Sequence, residues 1–317
     1  MCKILITGAF GFIGTNLSSY LSAKRKYILT AVDLPNNSKH LYTAIYTWSE
    51  INNIDWNSLD TIIHLAGIAH DTKNTYDSKK YFEINVGLTK LVFDYFLKSR
   101  AKKFIFFSSV KAVADSIQDG ILTEDVLPDP HTPYGKSKLE AERYLLSQPI
   151  PEGEKIYILR PCMIHGPGNK GNLNLLYKFI KLGMPYPLGA FENKRSFTSI
   201  ANLNFILEQI IEGDISSGIY QIADDEALST NEVITQIAIA LGKKERIWKV
   251  NQQLIKQMAK LGDMLHLPFN SERLKKLTEN YVVSNHKLIE ALGTQLPVSS
   301  SEGLLHTVKN FAMDSKA

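Results

Sequence analysis

Thr7-Gly8-Ala9-Phe10-Gly11-Phe12-Ile13-Gly14 lies near the start of the chain, between two segments with different hydrophobic patterns. The apolar run at residues 4–6 predicts a buried strand, and the amphipathic residues 15–23 predict a helix. A glycine-rich turn between a strand and a helix is the context in which such a motif binds a dinucleotide. Gly8 permits a tight turn, Gly11 leaves room for a pyrophosphate, and Gly14 allows the helix to pack closely on the strand. We therefore interpret the turn as a dinucleotide-phosphate site rather than as an ordinary connection.

The composition of the 317-residue chain is that of a globular protein and excludes several other classes. Hydrophobic residues make up 44% and charged residues 21%, so one large α/β domain or two coupled domains are expected. The net charge is +4 and the basic residues are scattered in pairs, which disfavours a nucleic-acid partner. Cys2 and Cys162 lie far apart in the sequence, so neither a metal site nor a disulfide framework is predicted.

The predicted location of the protein is the cytoplasm. Two isolated cysteines suit a reducing compartment. The first predicted strand starts at residue 3, which leaves no room for a signal peptide. No apolar run is long enough to span a bilayer, so no membrane partner is expected.

An acidic residue ends the second predicted strand. This strand covers residues 28–33 and ends at Asp33, 19 residues after Gly14. A carboxylate at this spacing accepts hydrogen bonds from the ribose hydroxyls of NAD, and it would repel the 2′-phosphate of NADP. The alternative is a surface aspartate at a strand end, which is common. We predict NAD as the cofactor, with NADP as the second choice.

Strands and helices alternate along the first two thirds of the chain, which predicts an α/β fold with a Rossmann-type doubly wound parallel sheet. Further strands are predicted at residues 61–67, 103–109, 155–161, 195–200 and 218–223, with helices at 76–100, 134–146 and 201–212 and one that begins near Leu173. Residues 34–60 are polar and are assigned to no element. Helices dominate later, at about residues 230–241, 251–265, 271–280 and 284–292. We predict a cofactor-binding domain at residues 1–162, to which residues 193–223 return, and a smaller C-terminal substrate-binding domain at residues 163–192 and 224–317.

Tyr134 and Lys138 are four residues apart in a predicted helix, so both lie on one face. A nearby ammonium group lowers the pKa of a phenol from its usual value near 10, which would allow Tyr134 to exchange a proton near neutral pH. Ser109 ends a neighbouring predicted strand and is placed to orient the same substrate oxygen. These groups suit hydride transfer between a nicotinamide and a carbinol or ketone. A Tyr-x-x-x-Lys pair alone occurs by chance, but its combination with the glycine turn and Asp33 favours an enzyme.

The chain resembles the extended short-chain dehydrogenase/reductases, in the group of nucleotide-sugar epimerases and dehydratases. The resemblance rests on Thr7 to Gly14, His64 to Gly67, Asn85, Ser108-Ser109, Tyr134 to Lys138, Arg160-Pro161 and Gly166-Pro167-Gly168. It implies that Ser109, Tyr134 and Lys138 are the catalytic residues. The cofactor-binding residues that it implies are Gly8, Phe10, Gly11, Phe12, Ile13, Gly14, Asp33, Leu65, Ala66, Gly67, Asn85, Tyr134, Lys138 and Pro161.

The resemblance also implies a nucleotide-diphosphate sugar as the substrate. The loop at residues 165–172 corresponds to the segment that surrounds the diphosphate and the sugar in this family. No metal is expected. The predicted substrate-binding residues are Ser109, Lys111, Asn172, Leu188, Arg195 and Arg273.

Within the group, residues 160–172, 187–190 and 193–196 resemble two kinds of enzyme of bacterial surface-polysaccharide synthesis. These are UDP-N-acetylhexosamine 4-epimerases and reductases of UDP-4-keto-6-deoxy-N-acetylhexosamines. The expected activity is NAD(P)-dependent redox chemistry at C4 of a UDP-sugar, as in 4-epimerases of the UDP-GlcNAc/UDP-GalNAc or UDP-glucose/galactose type. The alternatives are the NAD(P)H-dependent reductase, an enzyme for steroid-like or flavonoid-like ketones, and a non-catalytic dinucleotide-binding sensor. Val110 and Lys111 stand where sugar 4,6-dehydratases carry an acid pair, so that activity is not expected.

Two expectations concern surfaces. The resemblance implies a homodimer that pairs helices near residues 76–100 and 134–147. Leu254, Met258, Leu261 and Leu265 form an apolar stripe, which suits either a membrane-surface helix or a helix packed on the second domain. We predict that the stripe packs on the second domain.

Overall fold

Nine strands are present in the part of the chain that the structure, a computed structural model, describes. That part comprises residues 1–35, 41–68, 77–117, 120–169, 172–267 and 269–314, without the side chains of residues 172 and 312–314. The strands are β1 (Cys2–Thr7), β2 (Tyr27–Asp33), β3 (Ala44–Thr47), β4 (Thr61–His64), β5 (Lys103–Phe107), β6 (Lys155–Pro161), β7 (Met163–His165), β8 (Phe197–Ser199) and β9 (Gly218–Ile222). Seven of them form one parallel sheet in the order β3-β2-β1-β4-β5-β6-β9, and β7 pairs with β8 in a separate parallel sheet.

The helices follow the strands in alternation and then dominate the end of the chain. They are α1 (Phe12–Ala23), α2 (Ser78–Tyr81), α3 (Gly87–Leu97), α4 (Pro133–Ser147), α5 (Asn172–Lys181), α6 (Ile200–Glu212), α7 (Thr230–Ala240), α8 (Gln252–Met264), α9 (Ser271–Thr278), α10 (His286–Leu292) and α11 (Ser300–Asp314). One π-helical turn, Phe82–Val86, joins α2 to α3. Short 3₁₀ turns occupy Trp48–Asn53, Trp56–Ser58 and Val110–Ala112.

The predicted fold class is confirmed, because the main sheet is parallel and hydrophobic side chains cover both of its faces. Along β1, Ile4 and Ile6 pack in a core with Leu17 of α1 and Leu203 of α6. Leu5, between them, points to the other face, where α3 and α4 supply Phe93, Phe96, Ala141 and Leu145. This alternation follows from the two-residue period of a strand.

A further hydrophobic core belongs to the helices that follow the sheet. It collects buried residues of α5, α7, α8, α9 and α11, among them Tyr177, Ile234 and Phe311. β8, predicted as part of a strand at residues 195–200, pairs with β7 rather than with the main sheet, whereas β9 extends the main sheet beyond β6. The predicted division into two domains at these residue bounds stays a prediction.

Three elements, β3, β7 and α11, were not predicted from the sequence. β3 is an edge strand with no fully buried residue, so it lacks an apolar run. β7 is three residues long, and α11 lies beyond the last helix that was assigned. The helix predicted at 76–100 corresponds to α2, the π-helical turn and α3; its first residue, Tyr76, lies outside the described residues.

The packing predicted for the apolar stripe of α8 is wrong. Leu254, Met258, Leu261 and Leu265 are 50%, 51%, 53% and 63% exposed. Instead, α8 packs through Ile255, Ala259 and Gly262. A Cβ atom at Gly262 would lie 1.8 Å from the carbonyl oxygen of Phe269, so the glycine allows the chain that follows α8 to contact this side of the helix.

Within the described residues, no helix is long and apolar enough to cross a bilayer. Nor do any three histidine, cysteine or acidic side chains of that part of the chain cluster as metal ligands would. The cytoplasmic location stays a prediction.

His64 ends β4 and is fully buried beneath the site described below. Its Nδ1 lies 2.7 Å from the Thr7 hydroxyl, and its Nε2 lies 3.1 Å from the Thr89 hydroxyl. Burial, aided by the positive charge of Lys138, lowers the pKa of His64 to about 3. The imidazole is therefore neutral in the folded protein at neutral and mildly acidic pH.

Acidification should weaken the fold through His64. The unfolded chain binds a proton at His64 near pH 6.5 whereas the folded chain does not, so this stability is present above pH 6.5 and is lost as the pH falls toward 3. Between pH 6.5 and 5 we expect a loss of about 1.5 kcal/mol in unfolding free energy from this group. Urea titrations of the native chain and His64→Gln across this range measure the difference in slope.

The comparison of slopes cancels other groups that titrate in the same range. Burial raises the pKa of Asp224 to about 6, which acts in the opposite sense, and lowers that of His165 to about 4, which acts in the same sense. Both remain in the variant. Parallel pH curves for the two proteins would contradict the assignment to His64.

Candidate active site

The glycine turn between β1 and α1 forms a concave backbone surface in which side chains cannot be placed. Gly8 has φ +68°, and a Cβ atom there would lie 2.7 Å from the Ala66 nitrogen. A Cβ atom at Gly14 would lie 2.5 Å from the Ala9 carbonyl oxygen. Gly11 precedes the first residue of α1 and offers no side-chain cap. The amide groups at the start of α1 are therefore accessible to an anion, and the turn fits a dinucleotide pyrophosphate.

Asp33 lies beside this turn, as its spacing predicts. The Phe10 amide donates to one carboxylate oxygen at 2.7 Å, and the Leu34 amide donates to the other at 2.7 Å. Two backbone amides leave further acceptor capacity on a carboxylate, which suits ribose hydroxyls. The Tyr42 hydroxyl donates to the Ala9 carbonyl at 3.1 Å, a contact that the sequence did not indicate because residues 34–60 carry no motif.

A cavity of about 390 Å³ joins the glycine turn to the ends of β4, β5 and β6. It contains all three predicted catalytic residues and most of the predicted cofactor residues. Phe10, Asp33, Ala66 and Asn85 do not line it, and Ile68, Phe107, Ser108, Cys162 and Ile164 line it without having been predicted. Its lining is Gly8, Gly11, Phe12, Ile13, Gly14, Leu65, Gly67, Ile68, Phe107, Ser108, Ser109, Tyr134, Lys138, Pro161, Cys162 and Ile164.

The start of α4 brings Tyr134 and Lys138 to the cavity. Thr132 caps the helix by accepting from the Gly135 amide at 3.2 Å, and Pro133 occupies the first turn, where its missing N–H costs nothing. Lys138 is 5% exposed, and its ammonium donates to the Phe107 carbonyl at 2.8 Å, at the end of β5. Ser109 follows two residues later and is hydrogen-bonded to Tyr134. The three side chains therefore converge on the carboxyl end of β5.

The pKa values within this group differ from the sequence-based expectation. Burial raises the pKa of Tyr134, and the hydrogen bond with Ser109 lowers it only in part. Burial lowers the pKa of Lys138 to about 8, while the charge of Glu142 raises it. The expectation that the pKa of Tyr134 lies below its usual value is therefore wrong for this structure. Burial is the largest cause of both shifts.

Asn85 lies in the π-helical turn between α2 and α3, and it is fully buried. Its side-chain oxygen accepts from the Ile68 amide at 2.7 Å, and its amide donates to the Ser137 hydroxyl at 2.9 Å. Ser137 belongs to the helix that carries Tyr134 and Lys138. Asn85 thus connects the loop after β4 to α4, and the π-helical turn is the kind of irregularity that often marks a functional site.

A buried ion pair secures α4 from the other side. Arg160, at the end of β6, donates to the two carboxylate oxygens of Glu142 at 2.9 and 2.6 Å. The Ser108 hydroxyl donates to the same carboxylate. Glu142 lies one helical turn beyond Lys138, so the pair connects α4 to the ends of β5 and β6. The sequence marked Arg160 only as part of a family motif and gave no sign of Glu142.

The predicted substrate residues are more dispersed. Lys111 donates to the Asp115 carbonyl at 2.6 Å and lies 4.1 Å from the centre of the Tyr281 ring. Arg195 pairs with Glu279 at 3.0 Å. Burial lowers the pKa of Lys111, while the charge of Glu279 raises it and that of Arg195 lowers it, so these groups form one electrostatic cluster. The Lys111 amide donates to the Ser109 hydroxyl at 3.2 Å, which connects the cluster to the cavity.

None of the other predicted substrate residues is shown to contact the cavity or the Lys111–Arg195 cluster in the described part of the chain. Leu188 is 3% exposed, and its side chain packs in the core of the C-terminal helices. Arg273 is exposed on α9 and does not line the cavity in the described part of the chain. Asn172 begins α5, but its side chain lies outside the described residues.

A parallel sheet with a glycine turn, an acidic residue at the end of β2 and a Ser-Tyr-Lys cluster defines a nicotinamide-dependent enzyme. The chain matches the NAD dependent epimerase/dehydratase family over residues 4–223, and it belongs to that family. The predicted family and cofactor, NAD, are confirmed.

Two relatives and one solved structure are similar over much or nearly all of the chain. UDP-glucose 4-epimerase of Vibrio cholerae is 30% identical, and the match covers 98% of this chain and 95% of the relative. N-acetyl-alpha-D-glucosaminyl-diphospho-ditrans,octacis-undecaprenol 4-epimerase of Escherichia coli O157:H7 is 28% identical over 76% of this chain and 73% of the relative. UDP-glucuronic acid 4-epimerase from Bacillus cereus, in complex with NAD, superimposes with a TM-score of 0.73 at 22% identity, covering 98% of this chain and 96% of that chain.

Gly8→Ala should weaken NAD binding by more than about tenfold, because both the left-handed backbone and the Ala66 nitrogen at 2.7 Å oppose a Cβ atom. Gly153→Ala is the matched control: its φ is +79°, but nothing lies within 4 Å of the added atom. Calorimetric titration of NAD into each nucleotide-free protein measures the affinity. Equal affinities in the two variants would show that the turn does not hold the cofactor.

Proposed function

We propose that this protein is a 4-epimerase of a UDP-sugar that uses NAD. The observation that carries the proposal is the single cavity that joins the glycine turn to Ser109, Tyr134 and Lys138. The names of the relatives support it, because both are 4-epimerases that act on sugars carried by a diphosphate.

The residues that would hold NAD are those of the turn, Asp33 and the cavity wall. The turn would bind the pyrophosphate, and Asp33 would accept hydrogen bonds from the ribose hydroxyls. By the family resemblance, Lys138 would donate to the ribose of the nicotinamide. When bound, NAD supplies a hydride acceptor that can return the hydride, and a positive ring that favours the phenolate form of Tyr134.

The protein moves the proton. Tyr134 accepts the proton of the sugar C4 hydroxyl as that carbon is oxidised, and it returns the proton when the carbon is reduced on the other face. Ser109, hydrogen-bonded to Tyr134, orients the same oxygen. Lys138 stands behind them, and its amine, with a pKa of about 8, is largely charged at neutral pH and stabilises the phenolate.

The diphosphate would bind at the cluster of Lys111 and Arg195. Lys111 contacts Ser109 at the cavity, its charge interacts with that of Arg195, and Arg195 presents the planar guanidinium that suits phosphate oxygens. Glu279 now accepts from the Arg195 side chain at 3.0 Å, so an incoming phosphate must compete with this carboxylate.

Homodimer formation remains a further proposal, which sedimentation velocity can test.

A substrate panel tests the proposal. The protein, loaded with NAD, is incubated separately with UDP-glucose, UDP-galactose, UDP-GlcNAc, UDP-GalNAc and UDP-glucuronic acid, and the products are separated by chromatography. We expect at least one of these sugars to reach an equilibrium mixture with its C4 isomer without net consumption of NAD. No turnover of any of them by the folded, NAD-loaded protein would contradict the proposal; reduction of a UDP-4-keto sugar with stoichiometric NADH would support the reductase instead.

Tyr134→Phe should lower kcat by roughly 10²- to 10⁴-fold, because the phenol hydroxyl carries the proton in the reaction. NAD affinity should stay unchanged, since the ring remains in place. Tyr144→Phe removes the same atom from the same helix away from the cavity, and it should turn over like the native enzyme. Stopped assays on the active sugar and NAD titrations measure both quantities. Full activity of Tyr134→Phe would remove this residue from the mechanism.

A further inference from the structure

The surface around α8 differs in composition from the rest of the protein. We define the α8 surface as the exposed side chains of residues 243–267 and 269–277. These 34 residues contain eight of the 23 large hydrophobic side chains that are exposed in the described part of the chain. They are Trp248, Leu254, Met258, Leu261, Met264, Leu265, Leu267 and Leu277. Such a concentration marks an interaction site, since single exposed apolar residues are normal but a cluster is not.

The same surface is strongly basic. It carries nine lysines and arginines and three acidic residues, a net charge of +6, whereas the whole chain carries +4, so the remainder is slightly acidic at −2. All twelve charged side chains are exposed. Some have neighbours, such as Lys276 with Glu272 at 2.6 Å, but these neighbours are already included in the net charge. The positive charge of the protein is thus concentrated where its apolar side chains are exposed.

The arrangement along α8 is that of a helix lying in an interface. Leu254, Met258, Leu261 and Leu265 repeat at intervals of four, three and four residues, which places them along one side of the helix. The same geometry places Lys256 and Lys260 on another side. The third side, with Ile255, Ala259 and Gly262, is fixed to the protein. The apolar side is therefore held outward by packing and is not free to turn inward.

We propose that the α8 surface docks the protein reversibly on an anionic membrane. An apolar stripe with basic residues on the remaining surface is the pattern by which helices bind at the headgroup boundary of negatively charged bilayers. Nucleic acid would satisfy the charge but not the eight apolar side chains. A second copy of the chain, paired face to face, would bring two surfaces of +6 together, which opposes that arrangement. The proposal does not depend on which sugar the enzyme converts.

Vesicle flotation tests the proposal with the full-length, NAD-loaded protein. The vesicles are phosphatidylcholine alone or phosphatidylcholine mixed with phosphatidylglycerol. We expect the protein to float with the anionic vesicles and to stay behind with the neutral ones. Added salt should reduce flotation, because it screens the lysines and arginines. Equal behaviour with both kinds of vesicle, or flotation with neither, would overturn the proposal.

A stripe variant separates the apolar from the electrostatic part. It combines Leu254→Gln, Met258→Gln, Leu261→Gln and Leu265→Gln, and it should bind anionic vesicles at least roughly tenfold more weakly, since it loses the apolar area that would enter the bilayer. The matched control is Leu127→Gln with Leu182→Gln, which changes side chains that are 87% and 76% exposed elsewhere. The control should float like the native protein. Unchanged binding by the stripe variant would contradict the proposal.

Two readouts distinguish a failed fold or a protein interface from a membrane contact. The stripe variant should keep the melting temperature of the native protein, because the four side chains are at least half exposed. A second variant, Lys249→Glu with Lys275→Glu, keeps the apolar side chains. Its binding to anionic vesicles should still fall about tenfold or more. A change of sedimentation coefficient in the stripe variant without lipid would assign the surface to a protein partner and overturn the membrane proposal.

Discussion

The buried ion pair between Glu142 and Arg160 holds three parts of the site together. It joins α4, which carries Tyr134 and Lys138, to the end of β6, and through Ser108 it also reaches the end of β5. Both side chains are almost fully buried, so loss of one partner would leave an uncompensated charge at a cost of about 3–5 kcal/mol. The position of α4 relative to the sheet thus depends on a contact that lies outside the cluster of Ser109, Tyr134 and Lys138.

The charge of Lys138 also depends on the burial of this part of the site and on Glu142. Glu142 lies one helical turn beyond Lys138, and its negative charge raises the lysine pKa that burial lowers to about 8. Without Glu142, the amine would lose its proton more readily, and the phenol of Tyr134 would lose its cationic neighbour. One carboxylate therefore serves both the packing of α4 and the charge of its lysine. Burial also lowers the pKa of His64, which stays neutral between the hydroxyls of Thr7 and Thr89.

Local sequence patterns predicted six of the seven strands of the main sheet and the residues that line its cavity at the glycine turn, because these depend on short-range spacing. The glycine turn, Asp33 at the end of β2 and the Tyr134–Lys138 pair are all defined within a strand, a turn or a helix. Glu142, Tyr42 and the π-helical turn around Asn85 could not be found in this way, since each matters through a partner distant in the sequence. The pKa of Tyr134 was misjudged for a related reason: helical spacing places the ammonium nearby but gives no measure of the burial that opposes it.

The stripe on α8 shows the limit of periodicity in another form. A helical repeat of Leu and Met shows that one side is apolar, but it does not show that this side faces the protein. Here Gly262 decides the orientation, because the absence of a side chain lets the Phe269 carbonyl approach the helix backbone closely. Close contact at the small residues leaves the larger ones outward, at the cost of exposing Leu254, Met258, Leu261 and Leu265 to water. The exposure of these side chains to water is unfavourable, and their contact with the apolar part of a bilayer would remove them from water.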